Sequence, residues 1–227
     1  MSRRLLAAMA LGLGLSAGPA AAQGLTPLSL GEHLALRSYT GQAIGQTLVE
    51  VLRLPSIGVF ANTSSICAAL SGAAASQILE TRRGAEFGLA AVGTPEEAAA
   101  AAREMTRMGG IALLFGGQTP PAENAALVRA VLGVLAERDY QGPVFLHLAT
   151  WAGQWLESAA QADPAIAAWA ARHPHLYALT VDVDRARAVI RHVSVTDGLQ
   201  RAVAVAHEAP MDEPWLLLFR RSLLRRS

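Results

Sequence analysis

Four short stretches of this chain carry side chains that could bind or react. Asn62-Thr63-Ser64-Ser65, then Gly116-Gly117-Gln118-Thr119, then His147, Thr150 and Trp151 supply amides, hydroxyls, an imidazole and two adjacent glycines. The fourth, His173-Pro174-His175 with Asp182 and Asp184 behind it, supplies imidazoles and carboxylates. Each of the first three follows a short apolar run, where a strand hands over to a helix and unpaired backbone N–H groups collect. That chemistry suits a small polar or anionic ligand. Helix capping is the alternative account, since it demands the same Ser, Thr and Asn.

Reactive chemistry finds less support. Cys67 falls in the first turns of the helix after Ser65, where a thiol can be activated, but Ile66, Ala68, Ala69 and Leu70 around it make an inert, buried thiol the better account. The one Gly-x-Ser-x-Gly, Gly14 to Gly18, lies in the stretch with the pattern of an export signal; past it, a serine hydrolase would need Ser64 or Ser65 with Asp182 or Asp184 and then His192 or His207. Asp182 and Asp184 share one face of a strand, yet no His-x-x-x-His helix pair joins them to make a metal site. All 19 basic residues are arginine, so Schiff-base, pyridoxal and phosphate-loop lysines are excluded. No catalytic residue, metal or cofactor is assigned.

The elements that position these groups follow from hydrophobic patterning. Residues 23–40 read as an extended lead-in and 42–53 as a helix that Pro55 ends. Ile57 to Phe60 is a strand, and 66–83 a helix with Ile66, Ala69, Leu70, Ala73 and Ile78 on one face. A weaker strand at 87–92 leads through Thr94-Pro95 into a helix over 98–108. Strand 111–115, a helix to Arg138 with a Leu127, Val128, Val131, Leu132, Leu135 stripe, strand 144–148 and a helix over 152–172 complete the alternation. Short apolar strands between helices require a mostly parallel sheet covered on both faces, hence a three-layer αβα sandwich. Beyond Pro174 the rhythm changes to a hairpin of 176–183 and 188–195. Asp197 is expected to cap a short helix to about His207, and 214–219 to form a final strand.

Met1 to Ala22 read as a cleaved export signal: Arg3-Arg4, an uncharged apolar run from Leu5 to Leu15, then Ala20-Ala21-Ala22. The expected organisation is 1–22 signal, 23–55 lead-in and helix, and 56–227 a single α/β domain with a possible sub-boundary near 142. The destination is the periplasm, with no membrane span after cleavage. The remaining 205 residues suffice for a core, and the lone Cys67 excludes an internal disulfide. Seventeen arginines then face 18 acidic residues, a balance unlike a nucleic-acid surface. Arg220, Arg221, Arg225 and Arg226 form a basic tail, either a solvated terminus or a weak contact for an anionic membrane.

Two families show similar patterns. Gly142 to Asp184 resembles the first half of a thioredoxin, with Pro143 to Leu148 as its central strand and Pro214 before Trp215 to Phe219 as its cis-proline and strand. Trp151-Ala152-Gly153-Gln154-Trp155 stands where that family carries its two cysteines, so the resemblance implies a redox-inactive scaffold. Residues 57–150 resemble the first lobe of type I periplasmic solute-binding proteins, on Ile57 to Phe60, Gly84 to Thr94 and Gly110 to Phe115. That resemblance implies ligand contacts at the same strand ends, although those proteins close two lobes on a ligand and few residues remain here for a second. The expectation is a non-catalytic exported protein that binds a small polar molecule or an envelope protein at the strand ends. A redox-inactive envelope scaffold and a serine hydrolase are the alternatives.

Overall fold

The computed structural model describes residues 27–223. The expected signal over 1–22 and Arg225 and Arg226 of the basic tail lie outside the described residues.

The chain runs α1 (Leu30–Gln46), a π-helical turn (Thr47–Val51), β1 (Ser56–Asn62), α2 (Ser65–Thr81), β2 (Glu86–Val92), α3 (Pro95–Met105), β3 (Gly110–Leu113) and α4 (Pro121–Glu137). It continues through β4 (Val144–Leu146), α5 (Leu148–Ala152), α6 (Trp155–Ala162), α7 (Pro164–Arg172), β5 (Leu176–Asp182), β6 (Arg187–Thr196), β7 (Leu199–Pro210) and α8 (Glu213–Leu223). The strands form one sheet in the order β2-β1-β3-β4-β5-β6-β7. Its first five strands are parallel, while β6 and β7 are antiparallel. Because β1 lies between β2 and β3, strand order reverses at its edge, the geometry that opens a crevice in such sheets.

Alternate side chains of the central strands enter two separate cores. Ile111, Leu113, Val144 and Leu146 pack against α3, α4, α6 and α7, whereas Ile57, Val59, Ala112 and Phe145 pack against α1, α2 and α8. The fold is therefore the expected α/β sandwich, a mixed sheet with helices on both faces. On the second face α1 approaches α2 through glycines. A Cβ on Gly45 would stand 2.6 Å from the Ala74 carbonyl oxygen, and one on Gly41 would strike the Leu70 carbonyl.

Four local expectations are corrected. The lead-in at 23–40 is helical from Leu30, because Ser29 and Glu32 form a reciprocal capping box. The single helix over 152–172 is three helices, interrupted at Gln154, whose φ is 57°, and at Asp163, which caps the helix opened by Pro164. The helix from Asp197 is instead a strand: Asp197 and Gly198, with φ of 54° and 73°, make the two-residue turn that folds β7 back on β6. The strand at 214–219 is helix α8, begun by the Asp212 carboxylate accepting from the Trp215 N–H at 2.9 Å and amphipathic through Trp215 and Phe219. Pro214 is thus helical, and no cis peptide occurs among the described residues, so the thioredoxin-like part of the pattern does not extend to it.

The outer strand β7 is irregular. Ile190 faces His207 while Arg191 faces Val205, and His192 faces Ala204 while Val193 faces Ala202, so Ala206 and Val203 are extra residues in two bulges. Arg220 donates to the Val183 carbonyl and Arg221 pairs with Glu32, which ties α8 to the sheet and to α1. The Arg221 guanidinium, with help from Ser29, holds the Glu32 carboxyl down at about 2. Among the described residues no helix is long and apolar enough to cross a membrane.

Candidate functional site

The crevice beside β1 gathers Asn62, Ser64, Gly116 and Gly117 as the strand ends predict, and its buried polar groups are spent on one another. Asn62 Nδ2 donates to the Gly116 carbonyl at 2.7 Å and to Asn124 Oδ1 at 2.8 Å. Asn62 Oδ1 accepts from the backbone N–H of Ser64 at 3.0 Å and from its hydroxyl at 2.7 Å. Ser64 in turn caps α2 by accepting from the Cys67 N–H. Asn124 Nδ2 donates to the Thr119 carbonyl at 2.9 Å, which pins the Gly116–Thr119 loop to α4. The turn itself requires glycine: Gly116 has φ of 150° and Gly117 of 73°. A Cβ on Gly117 would press on Ser64 Oγ at 2.9 Å.

One strand further on, His147 and Thr150 close on the end of β3. Thr150 Oγ1 donates to the Leu113 and Phe115 carbonyls. His147 caps α5: its Nδ1 accepts from the Ala149 N–H at 3.2 Å and lies 3.3 Å from the Phe115 carbonyl. Whichever nitrogen carries the proton, His147 Nε2 is buried with no hydrogen-bond partner among the described residues. Burial, then the charge of Arg37, pull the imidazole down to about 3, so it is neutral at physiological pH. A Cβ on Gly116 would touch its ring edge at 3.9 Å, so the two strand ends are contiguous.

Thr63, Ser65, Gly117 and Gln118 form the exposed lip of this arrangement. Trp151 is half-buried against the core under α3, α4, α6 and α7, and its carbonyl accepts from Gln200 Nε2 on β7. Sequence patterning missed two members. Asn124 sits one turn before Leu127 and Val128 on the buried face of α4, and a polar residue in that register was the available signal. Arg37 lies on α1, in the segment read as lead-in, yet its charge is felt at both His147 and Cys67.

The other reactive candidates are not assembled. Burial pushes the Cys67 thiol up, against smaller opposing effects of Ser64 and Arg37. His192 pairs across the sheet with Tyr177, near the opposite end of the parallel strands from Ser64, and its Nε2 lies 2.6 Å from the Pro174 carbonyl. His173 is buried against Trp169, with ring centroids 4.7 Å apart, and Asp182 serves Arg185. Among the described residues no three His, Cys, Asp or Glu side chains cluster to hold a metal.

Comparison with solved structures finds weak likenesses. One is an extracellular ligand-binding receptor from Verminephrobacter eiseniae, at TM-score 0.43 and 14% identity over 63% of this chain and 37% of that one. Another is a solute-binding protein of an ABC transporter from R. palustris, in complex with benzoate, at TM-score 0.43 and 11% identity over 80% of this chain and 65% of that one. The chain thus spans less than two thirds of either. No curated protein matches it. A family model described as "Uncharacterized protein" matches residues 33–218, and the chain belongs to that family.

Proposed function

We propose that this is an exported, non-catalytic binding protein that takes a small polar molecule at the carboxyl edge of its parallel strands. The observation that carries the reading is His147. A buried imidazole nitrogen without a partner costs free energy, and the Cε1–Nδ1 edge of the same ring stands beside Gly116 where two strand ends and the starts of α2 and α5 converge. A bound polar molecule, directly or through water, offsets that cost. The lip of Thr63, Ser65, Gly117 and Gln118 supplies hydroxyl, amide and backbone groups for the rest of the ligand.

Absence of catalysis follows from the same groups. An imidazole held at about 3 is a poor proton shuttle near neutrality, the Cys67 thiol is buried and pushed up, and the Ser64 hydroxyl already donates to Asn62. Export rests on the Arg3-Arg4, Leu5–Leu15, Ala20–Ala22 pattern.

The test is a thermal-shift screen of polar metabolites against the full chain. A ligand at a hundredfold excess over Kd stabilises by about 2.7 kcal/mol, enough to raise Tm by several degrees. The shift is expected to shrink in Gln118→Ala and to vanish in His147→Phe. A screen that moves nothing, or a ligand indifferent to both substitutions, overturns the reading.

A further inference from the structure

We propose that a second binding site lies on the other face of the sheet and takes a small organic cation with an apolar body. It is a cleft of about 650 Å³ between α1 with its π-helical turn on one side and β6, β7 and α8 on the other. That volume falls in the range of small-molecule sites. The cleft exists because side chains are short where the sheet passes beneath it. Ala188 on β6 faces Ala209 on β7 across the ladder, and Ala43 stands above them on α1. Leu179 and Ile190 complete an apolar floor.

The walls are unlike a gap in a core, because they are polar. Gln42, Gln46 and Glu50 repeat every four residues, so they line one edge of the helical wall. Gln46 Nε2 donates to Glu50 Oε2 at 2.8 Å, which holds the carboxylate in place. A π-helical turn at this position sets Thr47–Val51 out of the ordinary α-helical phase, a distortion that recurs at functional sites. Opposite stand Asp212 and Trp215, the latter with a buried indole N–H that has no partner among the described residues.

Charge decides the ligand class. Glu50 and Asp212 are acidic, His207 is the one imidazole in the lining, and among the described residues no arginine lines the cleft. A cationic head near Glu50 and an aliphatic or aromatic body on the Leu179, Ala188, Ile190 floor fit this lining, whereas an anion meets two like charges. The wall cannot retreat, because α1 is held against α2 at Gly41 and Gly45 with no space for a Cβ.

The probe is hexylammonium, with hexanoate as the oppositely charged molecule of equal length. Both are titrated into the full, ¹⁵N-labelled chain while the Trp215 indole resonance is followed. Hexylammonium is expected to move that resonance saturably, with hexanoate weaker by about tenfold or more. Glu50→Gln, at an exposed position, is expected to weaken hexylammonium about fivefold, and Ala209→Trp to abolish its effect by filling the cleft. His147→Phe leaves the titration unchanged, so this site stands or falls separately from the strand-end reading. Equal binding of the two probes, no saturable movement, or an undiminished response in Glu50→Gln overturns the proposal.

Discussion

Strands β1 and β7 belong to one sheet and obey opposite rules. All seven residues of β1 are buried, because helices cover both of its faces. Of the twelve residues of β7, the described side chains are mostly exposed, with Val203 at 59% and Val205 at 52%. The first strand is held by two hydrophobic cores as well as its ladders; the second is held chiefly by one ladder of backbone hydrogen bonds to β6. Cohesion in this molecule is therefore concentrated at β1, β3 and β4 and declines toward β7.

Truncation of a large side chain in each region gives the largest test. Phe145→Ala, at a site with no exposure, is expected to cost about 3–5 kcal/mol and lower Tm by roughly 10 °C. Val205→Ala is expected to change stability by less than about 0.5 kcal/mol. Similar losses for the two would erase the contrast.

The polar lock beside β1 comes next. Asn62→Ala and Asn124→Ala are each expected to cost about 2 kcal/mol, since each strands buried partners. Chemical denaturation of the double variant should show a loss smaller than the two combined, with coupling of about 1 kcal/mol. Strict additivity would mean that the amides act independently.

Acid probes two buried imidazoles, of which His147 lies beside this lock and His173 at the other end of the strands. The His147 and His173 imidazoles are pulled from 6.5 to about 3 and about 4, in both cases chiefly by burial. The unfolded chain takes up these protons first, so stability is complete above pH 6.5 and falls as pH drops from there toward 3. His147→Phe is expected to flatten that acid limb in melts between pH 7 and 4. An unchanged slope would assign the loss to other groups.

The smallest effect belongs to the margin. Gly198→Ala places a side chain at φ of 73° and is expected to cost about 1 kcal/mol. Hydrogen exchange should quicken in β6 and β7 and stay unchanged in β1. Faster exchange throughout would show that the margin and the centre open together.

The same gradient explains what the sequence disclosed. Ile57 to Phe60, Ile111 to Leu113 and Val144 to Leu146 were legible because burial on both faces tolerates nothing polar there, although the expected strands ran two residues too far at Phe115 and Leu148. Residues 199–206 carry no such constraint, and Asp197 signals a helix cap as readily as a hairpin turn. Ser29 and Glu32 did announce α1, three residues apart, amid a stretch whose glycine and serine content suggested a lead-in. The strand-end groups were legible one by one, but the Asn62–Asn124 bond spans 62 positions. The second cleft draws on residues from 39 to 215, a separation over which spacing carries no signal.

The two extra residues in β7 bear on how copies of this protein behave at high concentration. An unpaired strand margin rich in alanine and valine is ordinarily a template on which another molecule lays down a matching strand and a fibre starts. At Val203 and Ala206 the margin falls out of step with any straight newcomer. A strand added there is expected to stall after a few bonds, which disfavours fibre growth from this margin.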